Sequence, residues 1–252
     1  MDTVYLELRK IARRIVVRYP PPDFYRTHPS EVSDSLRFYR SDAAILRLRE
    51  TMVCCLDDDY GHGMGHAEKV AIDAGTLAII ESRLAGEAQD RVRRHLLLAQ
   101  CAGLLHDIRR KEASHAEKGA ETARGILRTY PLSPEEISHV CMAIRNHEAF
   151  ARLDRPPVHP ARIISDCLYD ADKFRWGPDN FSHTVWDMVG LLNPSLDIFL
   201  GHYPKGMALL KKIRGTFRSQ TGRHYGPQFI DIGIAIGEEL YRVILTEFVN
   251  RR

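Results

Sequence analysis

The sequence contains no apolar run long enough to cross a membrane. Its longest apolar stretch, residues 96–105, is about half the length of a membrane-spanning helix and includes Gln100. The N-terminal segment MDTVYLELRK also lacks the uninterrupted apolar region of a secretory signal peptide. We therefore expect a cytoplasmic protein with no membrane partner.

Cysteines are few, and no block of charge stands out. The five cysteines are odd in number and lie mostly in apolar helical patterns, which predicts buried free thiols rather than a disulfide framework. They are Cys54, Cys55, Cys101, Cys141 and Cys167. With 36 basic and 33 acidic side chains, the net charge is +3. The sequence has no dense block of basic residues of the kind that predicts binding to a nucleic-acid duplex. Small phosphorylated molecules remain candidate ligands.

Alternating strand patterns are rare, whereas nearly every segment has the period of a helix. The fold class predicted is all-α, without internal repeats. We expect helices over 3–18, 41–56, 66–83, 88–106 and 160–173, two more after Ser114 and Ser133, and three in 181–252 separated at Asn193-Pro194 and at 221–228. The chain divides into an N-terminal extension (1–57), a core (58–180) and a C-terminal helical segment (181–252), which we expect to form one compact domain.

Three local signals predict helix ends. The run Pro20-Pro21-Pro22 should end the first helix, because proline fixes φ and lacks a backbone N–H. Ser114 and Ser133 are each followed three residues later by a glutamate, at Glu117 and Glu136, which is the spacing of a capping box.

The 12 histidines are the less ordinary feature of the composition. On the predicted helices, three histidines and two aspartates lie on or beside inward stripes, because residues at i, i+3, i+4 and i+7 share a face. They are His66, His106, Asp107, His147 and Asp172. By contrast, His139 falls off its stripe, and Asp166 and Asp170 share a different face.

A buried carboxylate normally has a cation or dense hydrogen bonding as its partner. Imidazoles with carboxylates are ligands for borderline divalent metals such as Mn, Fe, Co, Ni or Zn, and the absence of thiolates argues against a structural zinc site. A single inward histidine is more often a hydrogen-bonded core residue. The adjacent pair His106-Asp107 at the end of an apolar helix is harder to explain by packing.

The order of these residues resembles the H…HD…D signature of the HD superfamily of metal-dependent phosphohydrolases. The resemblance covers residues 58–180, through GHGMGHAEKV, AGLLHDI, SHAEKGAETA, AIRNHE and DADKF. It implies an all-helical HD-domain bundle in which His66, His106, Asp107 and Asp172 bind a first metal ion.

Two further histidines stand where two-metal members of that family place ligands. His115 in SHAEKGA and His147 in IRNHE would bind a second ion, with Asp107 bridging the pair; alternatively, they orient phosphate or water around a single ion. The expected cofactor is therefore one or two divalent ions, chosen from Mn, Fe, Co, Ni, Zn and Mg.

The sequence departs from two branches of the HD superfamily. The cyclic-di-GMP phosphodiesterase branch has a histidine pair and a GYP tripeptide here, whereas in this sequence Glu148 follows His147. Arg109-Arg110-Lys111 replace the acidic residues of the alarmone hydrolases and the deoxynucleotidase branch.

The resemblance implies hydrolysis of a phosphoester or phosphoanhydride by hydroxide that a metal ion makes available. The expected substrate is a nucleotide or another small phosphorylated metabolite. Asp107, His62, Arg110 and Lys173 are the candidate catalytic residues, His62 because its ordinary pKa of about 6.5 suits proton transfer. Cations near the ligands in sequence are candidates for binding substrate, namely Arg109, Lys111, Lys118 and Arg175. Asp170 and Glu148 are candidates for orienting imidazoles.

Two other functions remain open from the sequence. One is a di-iron oxygenase, a chemistry found on the same scaffold in a few relatives of the HD superfamily. The other is a non-catalytic regulatory domain that holds metal only to stabilise its helices. A homo-oligomer is compatible with each of the three functions.

Overall fold

The computed structural model describes residues 3–53, 63–151 and 159–249, and these ranges contain helices but no strand. The predicted all-α class is confirmed. The α-helices are α1 (Thr3–Arg18), α2 (Asp23–Thr27), α3 (Pro29–Ser41), α4 (Ala43–Val53), α5 (Met64–Leu84), α6 (Gln89–Leu105), α7 (His115–Leu127), α8 (Pro134–Arg145), α9 (His159–Phe174), α10 (Val185–Leu192), α11 (Leu196–Ile213) and α12 (Gln220–Ile244). Short π-helical turns cover Asn180–Thr184 and Leu245–Val249.

The N-terminal helices agree in part with the prediction. Helix α1 ends at Arg18, just before the three prolines, as expected. The helix predicted over 41–56 is α4 (Ala43–Val53), but α2 was missed, and so was α3. It begins with Pro29 in its first turn, where the missing N–H has no intrahelical partner to lose, so this proline starts a helix.

Helices α5 and α6 form the centre of the bundle, and α5 also contacts α3 and α9. Both are apolar on most faces, as expected for helices surrounded by protein. They approach closely at Gly103, where a Cβ atom would lie 2.5 Å from the Cα of Ala71. This close crossing fixes the C-terminal end of α6 against the first turns of α5.

The two predicted capping boxes have different outcomes. Ser133 caps α8 as predicted, since its side chain accepts from Glu136 N while the Glu136 carboxylate accepts from Ser133 N. The prediction of a capping box at Ser114 is wrong. Ser114 precedes α7 but has φ = 55° and makes no side-chain capping bond, because a left-handed residue does not have the extended backbone that an N-cap requires.

The C-terminal segment contains one confirmed break and one that is wrong. Asn193 adopts φ = 39° directly after α10, so the chain turns there as expected. The segment 221–228 was expected to separate two helices but is the beginning of α12. Gly222 serves close packing there, because a Cβ atom at this position would lie 1.9 Å from Asp170 Oδ2.

Buried apolar side chains form one cluster that runs from Tyr5 in α1 to Ile244 at the end of α12. The N-terminal and C-terminal segments therefore share a core with the central helices. Cys101, Cys141 and Cys167 are buried free thiols, as predicted, whereas Cys54 and Cys55 lie outside the described residues. Within the described ranges, no helix has the length and hydropathy needed to span a membrane.

Candidate metal centre

The predicted ligands converge where the ends of several helices meet. His66 lies in the first turn of α5, and the adjacent His106 and Asp107 directly follow α6. His115 opens α7, His147 lies just after α8, and Asp172 is in the last turn of α9. All six side chains are buried or nearly so, with Asp107 in the middle. The structure thus brings together every histidine and aspartate predicted to bind metal.

One group of ligand atoms surrounds Asp107 Oδ2. His106 Nε2 lies 3.4 Å from this oxygen and 3.3 Å from His66 Nε2. Asp172 Oδ1 lies 3.4 Å from His66 Nε2 and 3.8 Å from His106 Nε2. We call His66, His106, Asp107 and Asp172 the first group.

A second group surrounds the other oxygen of the same carboxylate. His147 Nε2 and His115 Nε2 lie 3.4 and 3.6 Å from Asp107 Oδ1, and 3.3 Å from each other. We call Asp107, His115 and His147 the second group. Because each oxygen of Asp107 faces a different set of imidazoles, this carboxylate is shared between the two groups.

In three of the histidines, the Nδ1 atom faces away from Asp107 and makes a polar contact that determines the state of the inward Nε2 atom. His106 Nδ1 lies 2.8 Å from Gly103 O, and His147 Nδ1 lies 2.6 Å from Ile144 O. A carbonyl oxygen can only accept, so both Nδ1 atoms donate, and in the neutral ring Nε2 keeps its lone pair. His115 Nδ1 likewise lies 3.0 Å from a carboxylate oxygen of Glu148. The Nε2 lone pairs of His106 and His147 are therefore available to a metal ion, and that of His115 faces both Asp107 and the Arg110 guanidinium.

The donor set fits divalent ions. An ion about 2.1 Å from two ligand atoms, at tetrahedral or octahedral angles, holds those atoms roughly 3.0–3.5 Å apart. Five of the seven separations, at 3.3–3.4 Å, lie within that range, and the other two, at 3.6 and 3.8 Å, are slightly longer. All seven are long for hydrogen bonds. Inward lone pairs beside a carboxylate would repel one another without a positive charge between them. In each group three ligand atoms lie close enough together to hold a metal ion. They belong to His66, His106 and Asp107 in the first group, and to Asp107, His115 and His147 in the second.

Charges at the site favour a cation. Burial alone would raise the pKa of Asp172, but Lys173 and the imidazoles of His66 and His106 hold it well below its ordinary value. Burial opposes the charged form of His106, but the Asp107 and Asp172 carboxylates outweigh it and raise the pKa. Burial and the neighbouring His147 lower the pKa of His115, which favours the neutral ring that binds metal.

The predicted cations lie at different distances from these groups. Lys173 is buried and pairs with Asp172 Oδ2, and Arg110 Nη1 lies 3.0 Å from His115 Nε2 and 3.9 Å from Asp107 Oδ1. Arg109 and Lys118 are exposed and contact Glu112, and Lys111 is also exposed. The structure thus brings Lys173 and Arg110 to the centre and places the other three on the nearby surface.

Arg175 occupies a different environment from the other cations. It is buried in a network in which it pairs with Asp73 and Asp179 and donates to the Tyr25 hydroxyl at 2.9 Å. Arg175 also lines a cavity of about 330 Å³ beside His66, together with Lys69. Lys69 was not among the predicted site residues, although its position three residues after His66 places both on one face of α5.

Of the two residues expected to orient imidazoles, one contacts a histidine of the metal centre and the other does not. Glu148 does so through its contact with His115 Nδ1. Asp170 does not: it accepts from the backbone N–H groups of Arg218 and Ser219, each at 2.8 Å, and so fixes the start of α12 against α9. Burial raises the pKa of Asp170 to about 7 despite these bonds. The candidate proton carrier His62 lies outside the described residues.

Comparison of the chain with protein-family models, with curated proteins and with solved structures gave no match.

Proposed function

We propose that the protein is a metal-dependent phosphohydrolase of the HD type, which cleaves a phosphoester or phosphoanhydride of a nucleotide or another small phosphorylated metabolite. The observation that carries the proposal is the division of Asp107 between two imidazole groups. A carboxylate shared in this way is suited to bridge the two ions of a hydrolytic site. A purely structural site would need only one closed ligand set.

The ligands for two ions follow from the two groups. His66, His106 and Asp172 would hold one ion, His115 and His147 the other, and Asp107 both. Divalent ions bound there would lower the pKa of a water molecule and stabilise negative charge on phosphate oxygens.

The side chains around the ligands have roles that their contacts support. The Nδ1 bonds of His106 and His147 hold the imidazoles in one tautomer, and Glu148 does the same for His115. Arg110 lies at the open side of the second group, 41% exposed at its side chain, where a guanidinium can pair with a phosphate oxygen. Lys173 is buried against Asp172, and its charge holds that carboxylate ionised.

The proposal is tested by measuring phosphate release from a panel of nucleotides and small phosphate esters, with Mn²⁺, Co²⁺ or Ni²⁺ added to metal-free protein. We expect turnover in the wild type and a loss of at least about 1000-fold in His147→Ala. His139→Ala is the matched control, because His139 is a buried histidine on α8 that belongs to neither group. Equal turnover in wild type and His147→Ala would refute the proposal.

A second variant separates substrate binding from metal binding. Arg110→Gln removes a cation that is not a ligand, so the metal content should stay unchanged while kcat/KM falls about tenfold or more. Iron in both groups, with oxygen-dependent turnover and no phosphate release, would instead support the oxygenase. Stoichiometric metal with no turnover of any substrate would support the regulatory domain.

A further inference from the structure

A second cavity, of about 340 Å³, lies away from the metal groups, where the first turns of α9 and α12 meet the end of α5. Three arginines line it: Arg162 on α9, Arg223 on α12 and Arg218 just before α12. Guanidinium groups around one cavity repel one another, and an anion bound between them would turn this repulsion into attraction.

The acidic residues of this cavity balance the arginines only in part. Both oxygens of Glu81 accept from the start of α12, at 2.7 Å from Thr221 N and 3.3 Å from Gln220 N. Glu81 is therefore occupied in capping α12. Asp166 is the remaining carboxylate, and it makes no hydrogen bond or ion pair within 4.0 Å to any other described residue.

The arginines that face the solvent are available to a ligand. Arg162 and Arg223 are exposed, and over the described ranges neither guanidinium has an ion-pair or hydrogen-bond partner. Both act electrostatically on Asp166: burial raises the pKa of this carboxyl, while Arg218, Arg162 and Arg223 lower it. The cavity therefore offers two free guanidinium groups and one free carboxylate.

Arg218 is held in place and forms the inner wall. Its guanidinium stacks over the Tyr169 ring at 3.5 Å and donates through Nη1 to Asn146 O at 2.7 Å. Asn146 directly precedes His147 of the second group. Arg218 thus gives the cavity a fixed positive charge and links it to the loop that carries a metal ligand.

We propose that this cavity binds inorganic phosphate. Guanidinium groups pair with phosphate oxygens, and the free carboxylate can accept a hydrogen bond from a P–OH group. Near neutral pH inorganic phosphate carries at least one P–OH, whereas sulfate is fully ionised and would face Asp166 with an unprotonated oxygen. The cavity is therefore expected to select phosphate over sulfate. Phosphate is also the product of the proposed hydrolysis, but its binding here does not depend on that function.

The test is isothermal titration calorimetry of phosphate and of sulfate into the full chain, freed of metal with a chelator. We expect one phosphate per chain at this site and at least tenfold weaker binding of sulfate. Arg162→Gln and Arg223→Gln should each weaken phosphate binding about tenfold or more, because each removes a charge-assisted pair. Arg128→Gln is the matched control, since Arg128 is exposed at the end of α7 and does not line the cavity.

Asp166→Asn provides a gain-of-binding arm. An asparagine amide can donate to sulfate where the carboxylate repels it, so this variant should bind sulfate at least tenfold more tightly than the wild type. Circular dichroism and thermal unfolding confirm that each variant is folded. The proposal is overturned if phosphate binding is absent, if Arg162→Gln and Arg223→Gln bind phosphate like the wild type, or if the wild type binds both anions equally.

Discussion

Replacing Gly103 with alanine tests the close crossing of α5 and α6 that supports the metal centre. A Cβ atom at this position would lie 2.5 Å from Ala71 Cα and 2.7 Å from Ala71 N. Both are backbone atoms, so no side-chain rotation relieves the overlap, and the helices must separate. Overpacking of this kind costs about 1–3 kcal/mol and occasionally more, against about 1 kcal/mol that alanine gains over glycine inside a helix.

We therefore expect Gly103→Ala to lower the free energy of unfolding by about 2 kcal/mol, since a backbone contact places the cost at the upper end. For a chain of this size the melting temperature should fall by about 4–8 °C. Metal affinity should also fall, because His66 belongs to α5 and His106 follows α6, one turn beyond the crossing.

The measurement is thermal unfolding of the metal-free protein, followed by metal titration. Gly125→Ala is the matched control. Gly125 is an exposed glycine of α7 with no atom within 4 Å of an added Cβ, so this variant should be equally stable or up to about 1 kcal/mol more stable. A Gly103→Ala protein as stable as Gly125→Ala would refute the close crossing.

Three further predictions concern stability. Asp170→Asn should lower the free energy of unfolding, measured in urea, by about 2–3 kcal/mol. The two carboxylate oxygens accept from the backbone N–H groups of Arg218 and Ser219, and the asparagine NH₂ group would place a donor against one of these donors. An unchanged unfolding midpoint would contradict these two hydrogen bonds. Arg94 lowers the pKa of Glu136 to about 2, so the pair should contribute about 1 kcal/mol above pH 4.5 after solvent screening and lose it as the pH falls toward 2. Glu136→Gln should flatten this pH dependence, and an unaltered slope would contradict it. Ser133→Ala should cost about 1 kcal/mol, whereas Ser114→Ala should change stability by less than about 0.5 kcal/mol, and equal losses would contradict the assigned caps.

Helix ends set by backbone chemistry could be predicted from the sequence. The proline run after Arg18 and the Asn193-Pro194 turn both end helices where expected. The role of Gly222 in the segment 221–228 could not be predicted, because it depends on a residue distant in sequence. Gly222 lies where the Asp170 carboxylate comes close, and this contact exists only once α9 and α12 have packed together.

Much of the metal centre was also predictable, because the ligands sit at helix ends and share inward faces. The periodicity separated Asp172 from Asp166 and Asp170, and the structure places only Asp172 beside the histidines. It could not show that Asp170 accepts from the start of α12. The sequence could not show that Arg175 is buried against Tyr25 and Asp73, because these partners are 150 and 102 residues away. Its pairing with Asp179, four residues later, is the local part of the network.

The central claim is that Asp107 serves two ligand groups, and a count of metal ions per chain tests it most directly. Element-resolved analysis of protein reconstituted with Mn²⁺ or Co²⁺ should find two ions per chain in the wild type. It should find one in His147→Ala, which removes a ligand of the second group alone, and two in the control His139→Ala. A wild type that binds fewer than two ions per chain, or a His147→Ala protein that retains two ions, would contradict the claim.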